Sequence, residues 1–267
     1  MSRSVDFLST SSSSNLASTS RLPPATSILI TDTVQSPALF LTTQLIARTL
    51  KPPTGAHSDR KGKGKVILVG ISEVESEYQA ILKKQSVQST TEKQQGNFKF
   101  IDGFSAQLVE IFQQISQSLS ALNLDPSNES QETLVILDDF SALSWTGNDP
   151  TKLVKFHLAV KTLCYSSNAT LVTVLHSDSL SPHPVIQDEL DQYLFRSILQ
   201  HSTYWFELKS LVSQSRGELS IHPGPGLLLS KGNQGGRLRL RRGKEALEYR
   251  VEENGAVFEV KGLGRFI

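Results

Sequence analysis

Thr133-Leu134-Val135-Ile136-Leu137-Asp138-Asp139 decides the fold. Four consecutive apolar residues make a strand with no polar face, which suits a sheet covered on both sides. Working outward, similar runs recur at Ile28-Leu29-Ile30, Val66-Ile67-Leu68-Val69, Phe98-Lys99-Phe100-Ile101 and Leu171-Val172-Thr173-Val174-Leu175. Between them lie stretches of helical period. Residues 105–122 place Leu108, Ile111, Phe112, Ile115, Leu119 and Leu122 on one stripe, with Ser105 as the expected N-cap. Residues 150–165 follow Asp149 as cap and open on Pro150, and residues 185–201 repeat the period with Ile186, Leu190, Tyr193, Leu194 and Ile198. Strands alternating with helices predict an α/β fold with a mostly parallel sheet. The last third changes period. Arg237-Leu238-Arg239-Leu240-Arg241 alternates strictly, and Asn254-Gly255 separates Tyr249-Arg250-Val251 from Val257-Phe258-Glu259-Val260. An Asn-Gly step between alternating segments signals a hairpin, so the sheet is expected to finish with antiparallel strands. The polar connections 51–65, 86–97 and 123–132 read as insertions, which loop-closure entropy tolerates.

The chain has 267 residues, with 27 Lys+Arg against 26 Asp+Glu, one cysteine and one methionine. One cysteine excludes an intrachain disulfide, and no apolar run approaches the ~18–20 residues of a membrane span. These features predict a soluble intracellular protein without membrane contact. Nine of the first twenty residues are serine, and residues 1–26 show no apolar period before Leu22-Pro23-Pro24. That composition predicts a disordered tail ahead of one domain over 27–267. A mitochondrial transit peptide is the competing reading, resting on Arg3 and Arg21.

The carboxylates Asp138 and Asp139 end their strand as a Walker B strand ends, where one acid holds magnesium through water and its neighbour orients attacking water. Acids also end parallel strands simply as turn formers. The partner motif of such a site is a glycine-rich first turn, G-x-x-x-x-G-K-[ST], whose amides and lysine cradle phosphate. Here that turn is Asp32-Thr33-Val34-Gln35-Ser36-Pro37-Ala38-Leu39. Asp32 and Pro37 stand where glycines belong, and Ala38 and Leu39 replace the lysine and the hydroxyl residue. Asp32 would repel phosphate, and Pro37 removes an amide donor.

Other constellations are weaker. His157 and Cys164 share a helix face, but a buried structural cysteine is the commoner reading. His176, Asp178 and His183 match no metal-ligand spacing, so no metal is expected. Gly62-Lys63-Gly64 precedes a strand, so it is no dinucleotide fingerprint. Two basic runs stand out: Lys51, Arg60, Lys61, Lys63 and Lys65, and Arg237, Arg239, Arg241, Arg242 and Lys244. Residues 123–150 hold six acids and no Lys or Arg, so near-zero total charge is a cancellation of patches. The arginines are candidate RNA contacts, with a charged edge strand as the bland alternative. Phe140, Leu143 and Trp145 are candidates for core or interface, Phe140 for core.

Taken in order, 'ILITDTVQSPALFLTTQLIA', 'LVILDDFSALSWTG', 'KLVKFHLAVKTLC' and 'EYRVEENGAVFEVKGLG' resemble subunit six of the Elongator complex. The resemblance implies a RecA-like ATPase fold without its phosphate loop, with no catalytic residue and no cofactor. It further implies a heterohexameric ring with subunits four and five, attached to the catalytic subunits one to three, in the cytoplasm or also the nucleus. The ring as a whole binds tRNA and hydrolyses ATP, supporting 5-carbonylmethyl modification of wobble uridines. Sister subunit five, another degenerate RecA-like adaptor, and an atypical ATPase remain the alternatives.

Overall fold

The computed structural model describes residues 8–11, 22–51, 63–123, 131–178, 189–213, 216–226, 237–240, 246–252 and 255–260. The strands are β1 (Leu8–Ser11), β2 (Ser27–Asp32), β3 (Lys65–Gly70), β4 (Phe98–Asp102), β5 (Thr133–Asp138), β6 (Thr170–His176), β7 (Tyr204–Ser213), β8 (Arg216–Pro223), β9 (Arg237–Leu240), β10 (Ala246–Glu252) and β11 (Gly255–Val260). The helices are α1 (Leu39–Leu50), α2 (Glu75–Lys84), α3 (Ser89–Gln94), α4 (Leu108–Asn123), α5 (Ala142–Trp145), α6 (Pro150–Ser166) and α7 (Glu189–His201).

Nine strands form one sheet in the order β11-β10-β8-β7-β2-β6-β5-β3-β4. From β4 to β7 every neighbour pair is parallel, and from β7 to β11 every pair is antiparallel. The apolar runs explain the parallel half. Ile28, Ile30, Val66, Leu68, Leu134, Ile136, Val172 and Val174 point into one core with α1 and α2. Their neighbours Leu29, Ile67, Val69, Val135, Leu137 and Leu171 point into a second core with α4, α6 and α7. Alternation at period two thus buries both faces of each strand, at about 1.5–3 kcal/mol per large side chain.

Several expectations hold in detail. Pro150 opens α6, and the Asp149 carboxylate accepts the Thr151 amide at 2.8 Å as an N-cap. The C-terminal hairpin forms, but Glu252 pairs with Gly255. Gly255 therefore starts β11 instead of occupying the turn centre, and Glu253 and Asn254 lie outside the described residues. In the 185–201 stretch the described helix runs Glu189–His201, with 185–188 outside the described residues.

Others need correction. Helix α4 begins at Leu108, three residues past the expected cap. Ser105 instead serves Asp102, whose carboxylate accepts the Phe104 and Ser105 amides at 3.0 and 3.2 Å and the Ser105 hydroxyl at 2.5 Å. The connection 86–97 contains α3, with Ser89 and Glu92 buried. The end of the 123–132 connection is built in, since buried Glu132 accepts the Leu22 amide at 3.1 Å and pairs with Arg48 at 2.8 Å. The serine-rich segment is not all tail. Leu22 is fully buried, the Pro23 carbonyl accepts hydroxyls from Thr26 and Thr170, and packed chain thus begins before residue 27. Upstream, β1 pairs antiparallel with β9 as a separate two-stranded sheet, Ser9 opposite Arg239 and Ser11 opposite Arg237.

Candidate functional site

Three neighbouring strands, β2, β6 and β5, each end in a titratable residue on the same edge of the sheet: Asp32, His176 and Asp138. Register makes this a site. Parallel pairing sets Asp32 directly opposite His176, and Asp139 follows β5 in a left-handed conformation with φ of 53°. Such a φ strains a non-glycine residue, and here it turns the second carboxylate back along the edge.

His176 bridges the two outer acids. Its Nδ1 lies 2.5 Å from Asp32 Oδ1 and its Nε2 lies 3.2 Å from Asp139 Oδ1. A neutral imidazole has one N–H, so donating to two carboxylates requires the imidazolium. The two acids accordingly push the His176 pKa up to about 10, Asp139 making the largest contribution. Although burial opposes it, hydrogen bonds and charge from His176 hold the Asp139 carboxyl below its ordinary range. Trp145 stacks on the imidazolium, with ring centroids 5.6 Å apart and planes within 5°. The other side of this indole faces outward, since Trp145 is 58% exposed.

The first turn is closed by the chain's own oxygens. Asp32 Oδ2 accepts the Ala38 amide at 2.6 Å, and Asp178 Oδ2 accepts the Val34 amide at 2.7 Å. The Ser36 amide donates to the Thr33 carbonyl at 2.8 Å. Pro37 has no amide to give, and Leu39 begins α1 and packs against the core. The antiparallel wing reaches the same turn, for Tyr249 hydrogen-bonds Ser36 and packs its ring at a tilt against Phe40, centroids 4.6 Å apart. Gly217 permits that approach, because a Cβ there would overlap the Tyr249 hydroxyl and the Lys209 carbonyl.

Asp138 is buried as well and is served differently. It accepts the Tyr78 hydroxyl from α2, and Thr42 Oγ1 of α1 lies 3.5 Å away. Burial pushes its pKa up to about 7, against the hydrogen bond from Tyr78. A carboxyl so enclosed is not open to a hydrated cation. Among the described residues no group of three or more His, Cys, Asp or Glu is placed to hold a metal. A magnesium–triphosphate does not fit this edge. The acid that would hold the metal is enclosed, the turn amides at Val34 and Ala38 are taken by carboxylates, and the His176 imidazolium is already shared between two acids.

The remaining candidates fall into place. Phe140 and Leu143 are core. Cys164 is buried and its thiol is pushed up to about 12, so it is no nucleophile. His157 is fully buried, bonded to Thr173 at 3.1 Å, and its pKa is pushed down to about 3, chiefly by burial. Of the histidine–aspartate cluster, His176 and Asp178 serve the first turn, and His183 lies outside the described residues. Lys63 pairs with Glu92 at 2.7 Å. Arg237 and Arg239 lie in β9, while Arg241 and Arg242 fall outside the described residues. Sequence reasoning missed Tyr78, Thr42, Ser36 and Tyr249, and it took His176 only as a metal candidate. The available signal was that three core strands end in Asp, Asp and His.

A family model described as Elongator subunit Iki1 matches residues 21–242. This chain belongs to the Elongator subunit Iki1 family. No curated protein matches it by sequence. Among solved structures it is similar to a KaiC-like protein from Pyrococcus horikoshii OT3, with 10% identity and a TM-score of 0.59, over 89% of this chain and 90% of that one. An uncharacterised protein from Pyrococcus horikoshii, solved with an unknown peptide, gives 13% identity and a TM-score of 0.63, over 91% of this chain and 95% of that one. These likenesses establish the RecA/KaiC-like fold of this Iki1-family chain. In that fold the edge built by Asp32, Asp138, Asp139 and His176 is the carboxyl end of the parallel strands, where ligands of open α/β sheets bind.

Proposed function

We propose that this Elongator subunit is a non-catalytic member of the accessory ring of subunits four, five and six, taking the place of subunit six. The ring binds tRNA and supports wobble-uridine modification by the catalytic subunits. The observation that carries this reading is the internal use of the first-turn amides by Asp32 and Asp178, in a chain of an Elongator family. A subunit so built acts by packing against others. Its edge suits that: Val34, Val74, Phe104, Trp145 and Leu190 are all more than half exposed. The described segments 31–47, 71–82, 102–123, 138–151, 176–178 and 189–195, which adjoin that edge, contain no Lys or Arg. Acids around exposed apolar residues repel RNA phosphate and favour a basic protein face. RNA contact therefore belongs elsewhere, with Arg237, Arg239, Arg241 and Arg242 as its candidates.

Native mass spectrometry after affinity purification tests the assembly. Recovery with two other ring subunits is the expected result, and recovery without them would sink the reading. Competition against authentic subunit five for one ring position separates the sister assignment. Changing Arg239, Arg241 and Arg242 together to Glu is expected to weaken tRNA binding by the intact ring at least tenfold, since every phosphate that an arginine neutralises contributes counterion-release free energy. ATP hydrolysis by the isolated chain, abolished by Asp138→Ala, would favour the atypical ATPase.

A further inference from the structure

We propose that the first turn is self-liganded: the Asp32 carboxylate makes the contacts a phosphate loop gives its phosphate, and so holds the β2–α1 turn closed without nucleotide. A phosphate loop offers two kinds of donor, backbone amides entering a helix and a cation. Asp32 has one of each, the Ala38 amide at 2.6 Å on Oδ2 and the His176 imidazolium at 2.5 Å on Oδ1. The cation comes from β6 instead of the loop, which is why a turn lacking lysine still carries one. Asp178 repeats the device at the Val34 amide. Asp32 is 2% exposed, so a solvent anion has no room beside it. The Ser36–Tyr249 hydrogen bond and the Thr33–Ser36 turn seal the outer side. A turn liganded by its own chain has no empty state to relax into. The turn therefore keeps one closed conformation with no nucleotide bound. The inference stands on the turn's own geometry and does not rest on the ring reading.

The full-length chain tests it by chemical rescue. Wild type, Asp32→Ala and Asp32→Asn are melted at neutral pH in formate, phosphate or chloride at matched ionic strength. Asp32→Ala is expected to lose roughly 5–15 °C, because it takes one of two carboxylates from the half-buried His176 imidazolium and strips the Ala38 amide of its acceptor. Formate or phosphate should restore at least half of that loss along a saturable curve, chloride should not, and wild type should not respond. Asp32→Asn keeps an oxygen for the Ala38 amide but fills the space, so it should be destabilised and resist rescue. If Asp32→Ala does not fold in chloride, its refolding yield in formate against chloride is the same test. An Asp32→Ala response no more saturable than that of wild type, or an Asp32→Asn as stable as wild type, overturns the proposal.

Discussion

The ends of β2 and β5 lie one strand apart, with β6 between them, and face their acids with different partners. Asp32 is met by a cation, while Asp138 is met by hydroxyls from α1 and α2 and is buried until its pKa reaches about 7. Both acids are buried, so one end is an ion pair and the other a carboxyl held by neutral hydroxyls. The difference teaches that an acid kept at a strand end says little about metal binding. What faces the acid decides, and those groups arrive from other elements.

Replacing the cation should break the comparison hardest. His176→Ala leaves Asp32 and Asp139 close together without their bridge and is expected to cost about 3–5 kcal/mol in urea unfolding. A loss below about 1 kcal/mol would mean that the ionic end is no more than a surface pair. Alkaline pH makes the same cut reversibly. The folded His176 pKa lies above the unfolded 6.5, so the folded state keeps a proton that the unfolded chain releases. Its contribution is complete below pH 6.5 and disappears as pH rises toward about 10, and His176→Gln should flatten that decline.

The hydroxyl-held end is probed next. Tyr78→Phe strands a buried carboxyl and should cost about 1–3 kcal/mol. Asp138→Asn should cost less than about 1 kcal/mol at pH 5 and gain on wild type by pH 8. The sign follows because wild-type stability falls as pH rises from 3.8 to about 7, where the folded carboxyl must ionise in the interior. An Asp138→Asn profile parallel to wild type would show Asp138 to be ionised throughout. The smallest effect belongs to Trp145→Ala, about 0.5–1.5 kcal/mol from removing the stack on His176. Complete loss of ring assembly at that small cost, measured by native mass spectrometry, would place Trp145 in an interface.

The fold was largely legible because buried parallel strands write themselves as unbroken apolar runs, and Asp149-Pro150 announces α6. The site was half legible. Asp32 and Asp138 stood out as strand ends, but their pairing with His176 depends on β6 lying between β2 and β5, and sequence order does not reveal strand order. Helix α2, which brings Tyr78, was overlooked because only Tyr78 and Leu82 are buried on it, too few to set a period. Ser105 looked like a cap because it precedes the apolar period, but Asp102 takes its hydroxyl, a contact that no pattern shows. The serine-rich segment misled in the same way. Leu22 carries no periodic signal, and its anchor Glu132 is 110 residues distant.

Tyr249 stands in β10, beyond residue 242 where the family model's match ends, yet it clasps Ser36 and Phe40 at the opposite end of the chain. A premature stop codon after residue 245 would remove β10 and β11 and leave every residue of the β2–β6–β5 edge in the product. Its damage would nevertheless surface at that edge, so a late nonsense allele would imitate a missense lesion in the first turn.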